Sequence, residues 1–188
     1  ILADYTHDFD YNQQVAALCG SYGREFGRFS GQVGLRGEFT LIDTYLSGTG
    51  QGSDQRYLNV FPTGHLNYSL TEIDQIQASY ARRIRRPWYG QMAPFHSFND
   101  DRNIRTGNPD LKPIYTDSYE MSYLRFWDKG NINFTVYYRH STDVIRNFTT
   151  VIGDVSYSRP ENFGTSDDYG IELVGSLDIF KWWNLNGS

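Results

Sequence analysis

Phe29-Ser30-Gly31-Gln32-Val33-Gly34-Leu35-Arg36-Gly37-Glu38-Phe39-Thr40 decides the fold of this chain. Its odd positions read Phe, Gly, Val, Leu, Gly, Phe, and its even positions Ser, Gln, Gly, Arg, Glu, Thr. Side chains alternate faces along a strand, so this stretch has one greasy face and one that carries charge. Asn131 to Arg139 repeats the pattern, with Ile132, Phe134, Val136 and Tyr138 on one side. Asn131, Asn133, Thr135, Tyr137 and Arg139 take the other. Tyr169 to Ile179 repeats it again: Tyr169, Ile171, Leu173, Leu177 and Ile179 oppose Gly170, Glu172, Ser176 and Asp178, with Val174 as the exception. Helical spacing fits none of these windows. Alternation by itself leaves two all-β readings open, a soluble sandwich and a transmembrane barrel.

Composition points the wrong way at first sight. The 188 residues carry a net charge of −5 and a mean hydropathy of −0.57. No apolar run approaches the roughly 18 residues of a membrane helix. Yet 15 Tyr, 12 Phe and 4 Trp stand beside 18 Gly. A transmembrane barrel reconciles these facts, because its lumenal face is polar while aromatic residues gather at both membrane interfaces. Cys19 is the single cysteine, which excludes an intrachain disulfide.

Connection lengths separate the two readings. The pattern predicts eight strands, at roughly 11–25, 28–42, 57–70, 74–86, 114–127, 131–146, 164–179 and 183–188. Short links fall at Phe26-Gly27, Thr71-Glu72-Ile73, Asp128-Lys129-Gly130 and Lys181-Trp182, and long ones at Leu46–Arg56, Pro87–Pro113 and Asn147–Phe163. Strict alternation of short and long links is the signature of periplasmic turns and extracellular loops, and a sandwich has no reason for it. Aromatics flank the short turns: Phe26 and Phe29, Phe126 and Trp127, then Phe180, Trp182 and Trp183. The fold class expected is all-β, an antiparallel up-and-down transmembrane β-barrel. Residues 1–188 read as one part of one barrel domain: there is no signal-peptide pattern, and Asn184 to Ser188 opens a further strand.

Several motifs in order resemble the barrel of TonB-dependent outer-membrane receptors, in the form common among Bacteroidota. Val33-Gly34-Leu35-Arg36-Gly37-Glu38-Phe39-Thr40 resembles their Gly-Leu-Arg-x-Glu strand, and Phe61-Pro62 with Leu66-Asn67-Tyr68 their Phe-Pro strand. Tyr80 to Pro94 is similar to their Tyr-Ser-Arg-Arg…Arg-Pro…Pro segment, with Ala81 where Ser is usual. Gly107-Asn108-Pro109-Asp110-Leu111-Lys112-Pro113 and Ser118-Tyr119-Glu120-Met121 follow in the family's order. The resemblance implies a barrel of about 22 strands around a plug. It also implies uptake of a scarce nutrient driven by the TonB complex of the inner membrane, and contact with outer-membrane lipid and lipopolysaccharide. Plug and TonB box have no counterpart in these residues. A passive porin is the alternative function, and a soluble all-β binding module the second.

Other chemistry finds little footing. His7, His65, His96 and His140 lack paired ligand spacing, so neither a metal nor a catalytic site is expected, and no cofactor. Gly48-Thr49-Gly50-Gln51-Gly52 lacks the Lys-Ser/Thr of a phosphate loop. Asp167-Asp168 and Asn99-Asp100-Asp101 read as solvated loop charge rather than calcium ligands. Nucleic-acid binding would need a coherent basic face, and this chain is acidic.

Strand parity assigns the charges. Arg36, Glu38, Arg83, Arg85, Glu120, Arg139 and Glu172 are expected in the lumen, with Arg83 and Arg85 pairing acids such as Glu120. Arg82 and Arg86 are expected on the lipid side, near anionic head groups. The ligand-contact candidates are aromatic residues of the longest loop, Trp88, Tyr89, Phe95, His96 and Phe98.

Overall fold

The structure is a computed structural model that describes residues 8–47, 50–94, 97–100 and 102–188. Its strands are β1 (Phe9–Phe26), β2 (Phe29–Leu46), β3 (Gln51–Ser69), β4 (Asp74–Arg85), β5 (Ser97–Asp100), β6 (Asn103–Arg105), β7 (Ile114–Trp127), β8 (Gly130–Thr142), β9 (Ile145–Ile152), β10 (Val155–Asn162), β11 (Thr165–Phe180) and β12 (Trp183–Gly187). One helical turn, α1 (Tyr89–Met92), follows β4. Eight strands form the wall in the order β1-β2-β3-β4-β7-β8-β11-β12, all neighbours antiparallel. This is the up-and-down meander that the alternation and the short turns predict.

The turns at one end are as tight as the sequence implies. Gly27, at φ +58°, gives the two-residue link between β1 and β2 the positive φ that its first central position needs. Between β3 and β4, Thr71 Oγ1 accepts the backbone N–H of Ile73 and of Asp74 and donates to Asp74 Oδ2 at 2.8 Å. Rings cluster at this end: Phe29 lies 4.3 Å from Tyr68, and Phe180 stacks 5.5 Å from Trp182.

The outward face is apolar in bands that cross the strands. Tyr80, Tyr119, Tyr138 and Tyr169 are successive ladder partners on β4, β7, β8 and β11. Tyr80 and Tyr119 are 5.0 Å apart, and Tyr119 and Tyr138 6.2 Å. One step below this row come Ala78, Met121, Val136 and Ile171; one step above come Arg82, Asp117, His140 and Asp167. Two of the phenols point at the upper row: Tyr80 donates to Asp117 at 2.6 Å and Tyr138 to Asp167 at 2.7 Å. A tyrosine row between an apolar band and a charged row is where hydrocarbon meets water.

At the other end the sequence reading needs three corrections. The expected long link from Leu46 to Arg56 is absent, because β2 and β3 stay paired up to Leu46↔Gln51 and make one tall hairpin. Residues 48 and 49 lie outside the described residues. The strand expected at 131–146 ends at Thr142, and the expected loop at 147–163 is a second hairpin, β9–β10. Asp143 (φ 54°) and Gly164 (φ 71°) bend the chain between the two hairpins. That bend lets β10 run parallel to β6, so β5, β6, β10 and β9 form a second, four-stranded sheet from two different loops.

The ladder between β3 and β4 is short, from Thr63↔Ala81 to Ser69↔Gln75, although both strands continue beyond it. Pro62 explains the stop. On β3 the even residues turn their backbone groups toward β4: Leu70 N donates to Asp74 O, whereas Ser69 N donates to Arg28 O on the β2 side. Pro62 stands at an even position and has no N–H to give. Beyond it the two strands part.

Candidate functional site

The parted strands frame the site. Because β4 ends at Arg85, strand parity no longer governs Arg86. Its guanidinium turns to the polar face, where Nη2 donates to Glu38 Oε2 at 2.5 Å and to Thr40 Oγ1 at 3.1 Å. This corrects the expectation that Arg86 faces lipid. Arg36 Nε holds the other oxygen of Glu38 at 2.6 Å, so one buried carboxylate ties two strand positions to the root of a loop. Arg82 does stay on the outward face, 3.9 Å from Asp117.

The loop that starts at Pro87 returns over the polar face of β2 and β3. Gln55 Nε2 donates to the carbonyl of Pro109 at 2.8 Å and of Leu111 at 3.4 Å. Within the loop, Gly107 N donates to Ala93 O and Asn108 N to Gln91 O. Gly107 is obligatory there, since any Cβ would collide with the Ala93 backbone. Met92, Ala93 and Leu111 are buried, as are Ile42 and Leu46 on the same face of β2 as Glu38. Ile42 is the ladder partner of Gln55, so the apolar residues of that face sit under the strapped loop. The pattern of alternating apolar and polar residues breaks at Ile42 for this reason.

The two loops are fastened to each other around Asn108, which is 8% exposed. Its Nδ2 donates to Pro160 O at 3.1 Å, while its Oδ1 accepts from Arg159 Nη2 at 2.9 Å and from Asp110 N at 3.1 Å. Asn162 adds a second tie: its Oδ1 accepts Lys112 N, and its Nδ2 donates to Lys112 O and Asp143 O. The Gly-Asn-Pro motif is visible in the sequence, but the partner strand that Asn108 holds is not.

The expected lumenal charges fall on one face. Ladder partners place Arg36 and Glu38 on β2, Arg83 and Arg85 on β4, Glu120 on β7, Arg139 on β8 and Glu172 on β11 opposite the tyrosine face. Pairing differs from expectation in one respect. Glu120 binds Arg139 at 3.3 Å, and among the described residues Arg83 and Arg85 form no ion pair. The ladder explains it. Arg139 stands opposite Ser118, a diagonal neighbour of Glu120, whereas Arg83 stands opposite Thr116, a further step along β7 from Glu120. Arg83, Arg85, Glu120 and Arg139 line a concavity of about 570 Å³ with Thr116, Ser141 and Asp168, its acidic and basic groups interleaved.

The aromatic candidates are divided. Trp88 and Tyr89 sit at the start of α1, are 59% and 61% exposed, and meet edge to face at 5.2 Å. Phe95 and His96 lie outside the described residues, and Phe98 is placed on β5. Asp167 keeps to the outward face with His140, and Asp168 to the polar one, so the pair does not converge on a cation.

Comparison with solved structures gives the same architecture at low identity. Copper transporter OprC shares 16% identity and a TM-score of 0.74, over 93% of this chain and 28% of its own. The hemophore receptor HasR of Serratia marcescens shares 14% identity at a TM-score of 0.72, over 89% and 32%. The FrpB iron transporter of Neisseria meningitidis shares 16% identity at 0.65, over 92% and 24%. The chain therefore spans about a quarter to a third of these barrels. Sequence comparison with functionally characterised proteins gives no match. The family model of the outer membrane protein beta-barrel family matches residues 1–188. With its apolar bands and tyrosine row, this chain belongs to that family and stands in the bacterial outer membrane as part of a β-barrel.

Proposed function

We propose that the chain is part of a TonB-dependent receptor that imports a scarce nutrient, and that the two coupled outer loops form its ligand-facing surface. In this reading residues 1–188 supply barrel wall and loops, while the plug and the contact with the TonB complex belong to the rest of the protein. One observation carries the proposal: the Pro87–Pro113 loop is strapped inward by Arg86 to Glu38 and by Gln55 to Pro109, instead of standing free above the rim. A loop held on a rigid wall and facing the lumen is placed for recognition. The fold it shares with barrels named as copper and iron transporters and as a hemophore receptor supports import over passive diffusion. Trp88 and Tyr89 are its exposed aromatic contacts.

The experiment uses the full-length receptor in its own cells. Growth on limiting iron, haem or copper is compared with the TonB complex intact and disabled. Deletion of residues 90–104 should abolish uptake while leaving a heat-modifiable barrel in the membrane. Uptake that persists without TonB would instead support the porin reading.

A further inference from the structure

A strand edge left open by Pro62 lies beside the loop just described. Between Gln51 and Val60, β3 pairs with β2 on one side and, among the described residues, with no strand on the other. The direction of its backbone groups follows from two contacts. Ser53 N and Ser53 O both meet Thr44 Oγ1 on β2, at 3.3 and 3.0 Å, and Ser69 N donates to Arg28 O on the same side. The register between these points is continuous, so odd residues face β2 throughout. The N–H and C=O groups of Asp54, Arg56, Leu58 and Val60 therefore point to the open side.

That side is a slot. A cavity of about 500 Å³ is lined by all five residues Ser53–Tyr57, and across from them by Asp110, Lys112 and Tyr115. The far wall has no backbone groups to offer at Lys112, whose N–H and C=O are both taken by Asn162. Tyr115 Oη donates to Asn59 Oδ1 at 2.7 Å and closes the slot at its membrane end. Asp54 and Arg56 project on the same face as Leu58 and Val60 but beyond them, and both are exposed.

We propose that this slot binds an extended peptide by strand addition to β3. Backbone N–H and C=O pointing the same way at Asp54 and Arg56 match the hydrogen-bonding edge of one extended strand, and no compact solute repeats that spacing. Five residues of edge measure roughly 17 Å, the length of a short peptide. Both signs of charge stand on the walls, at Arg56 and Lys112 against Asp54 and Asp110, so recognition rests on backbone and not on one side-chain type.

The test needs no transport and so stands apart from the TonB reading. Purified full-length receptor in detergent is incubated with a random pool of end-capped hexapeptides, and the retained peptides are identified and titrated. Arg56→Pro deletes the N–H on the open edge and leaves the odd-numbered ladder to β2 intact. It should weaken retained peptides about tenfold, the worth of one strong hydrogen bond. Arg56→Gln removes the charge, keeps the N–H, and should bind within about twofold of wild type. N-methylation of alternate peptide residues should abolish binding in one phase only. Equal binding by wild type and Arg56→Pro overturns the proposal, as does equal loss in Arg56→Gln. A pool from which nothing is retained also overturns it, and so does a change of oligomeric state in Arg56→Pro, which would assign the edge to a second copy.

Discussion

Arg86 and Glu38, 48 positions apart, are joined at 2.5 Å across the polar face of the wall. Glu38 is buried and Arg86 largely so, and the pair stands at the point where β4 gives way to the loop. Removing one partner leaves the other charge in a poorly hydrated site, which costs about 3 kcal/mol or more, whereas neutralising both costs less. Arg86→Ala should therefore release the 87–113 loop to protease on intact cells, with the barrel still heat-modifiable. The double variant Glu38→Gln, Arg86→Gln should release it less. Equal protection of wild type and Arg86→Ala would remove the strap from the account.

Facing can be tested by paired substitutions. Val136 lies on the tyrosine face, and Leu35 on the apolar face of β2; Arg at either places charge in hydrocarbon and costs roughly 2–4 kcal/mol near the midplane. Thr135 and Gln32 face the lumen, and Arg there should be far milder even though Thr135 loses its 2.8 Å contact with Ser122. Urea titration of the heat-modifiable band in detergent or lipid vesicles reads both pairs. Matching losses in the two pairs would refute the register.

Orientation predicts where trypsin cuts intact cells. Arg102 and Arg105 lie in the outer loop, and Lys129 and Lys181 in tight turns at the opposite end. Cleavage should fall within 87–113, slowly in wild type and faster in Arg86→Ala, and spare Lys129 until the outer membrane is opened. A cut at Lys129 in sealed cells would invert the topology.

Much of this architecture is legible because a barrel writes its facing into every second residue. Leu35 and Val136 can be assigned by parity alone, and the tight turns by length and Gly27. Parity fails where a strand ends, and Arg86 is one residue past such an end. Phe61-Pro62 stands out in the sequence without revealing its consequence. A missing N–H matters only once the side it would face is known, and that depends on the register with β2. Likewise Asn147 to Phe163 reads as a loop by its length. Its pairing with β6 joins segments some fifty residues apart, for which no local pattern exists. The burial of Ile42 is hidden by the same cause, since a loop folded back from residue 86 covers it.

The bend between the two hairpins makes a further prediction. Gly164 sits at φ 71°, and an added Cβ would meet nothing within 4 Å, so conformation and not space is what restricts it. Gly164→Val should cost roughly 1–2 kcal/mol through the left-handed backbone. The loss should appear as faster hydrogen exchange in β9 and β10, with β8 and β11 near the tyrosine row unchanged. Exchange that rises evenly along β8 would mean the hairpins are one unit.

The last prediction concerns the coupling of the two loops. Asn108 satisfies three groups at once: the Pro160 carbonyl, the Arg159 guanidinium and the Asp110 amide. Asn108→Ala strands all three where water is scarce, at a cost of about 1–3 kcal/mol for each fully buried group and less for those at the edge. If β5, β6, β9 and β10 act as one sheet, hydrogen exchange should rise together in 103–105 and 155–162 although only the first loop was altered. Pro160→Ala keeps the carbonyl that Asn108 binds and should leave exchange in 103–105 near wild type. The parallel pair Tyr157↔Ile104 is short, and in Asn108→Ala it keeps the Asn162 tie to Lys112 but loses its buried anchor, so both loops should also become more sensitive to protease. Exchange confined to 87–113 in Asn108→Ala would show that the loops fold independently, and the ligand-facing surface would then have to be assigned to one loop or the other.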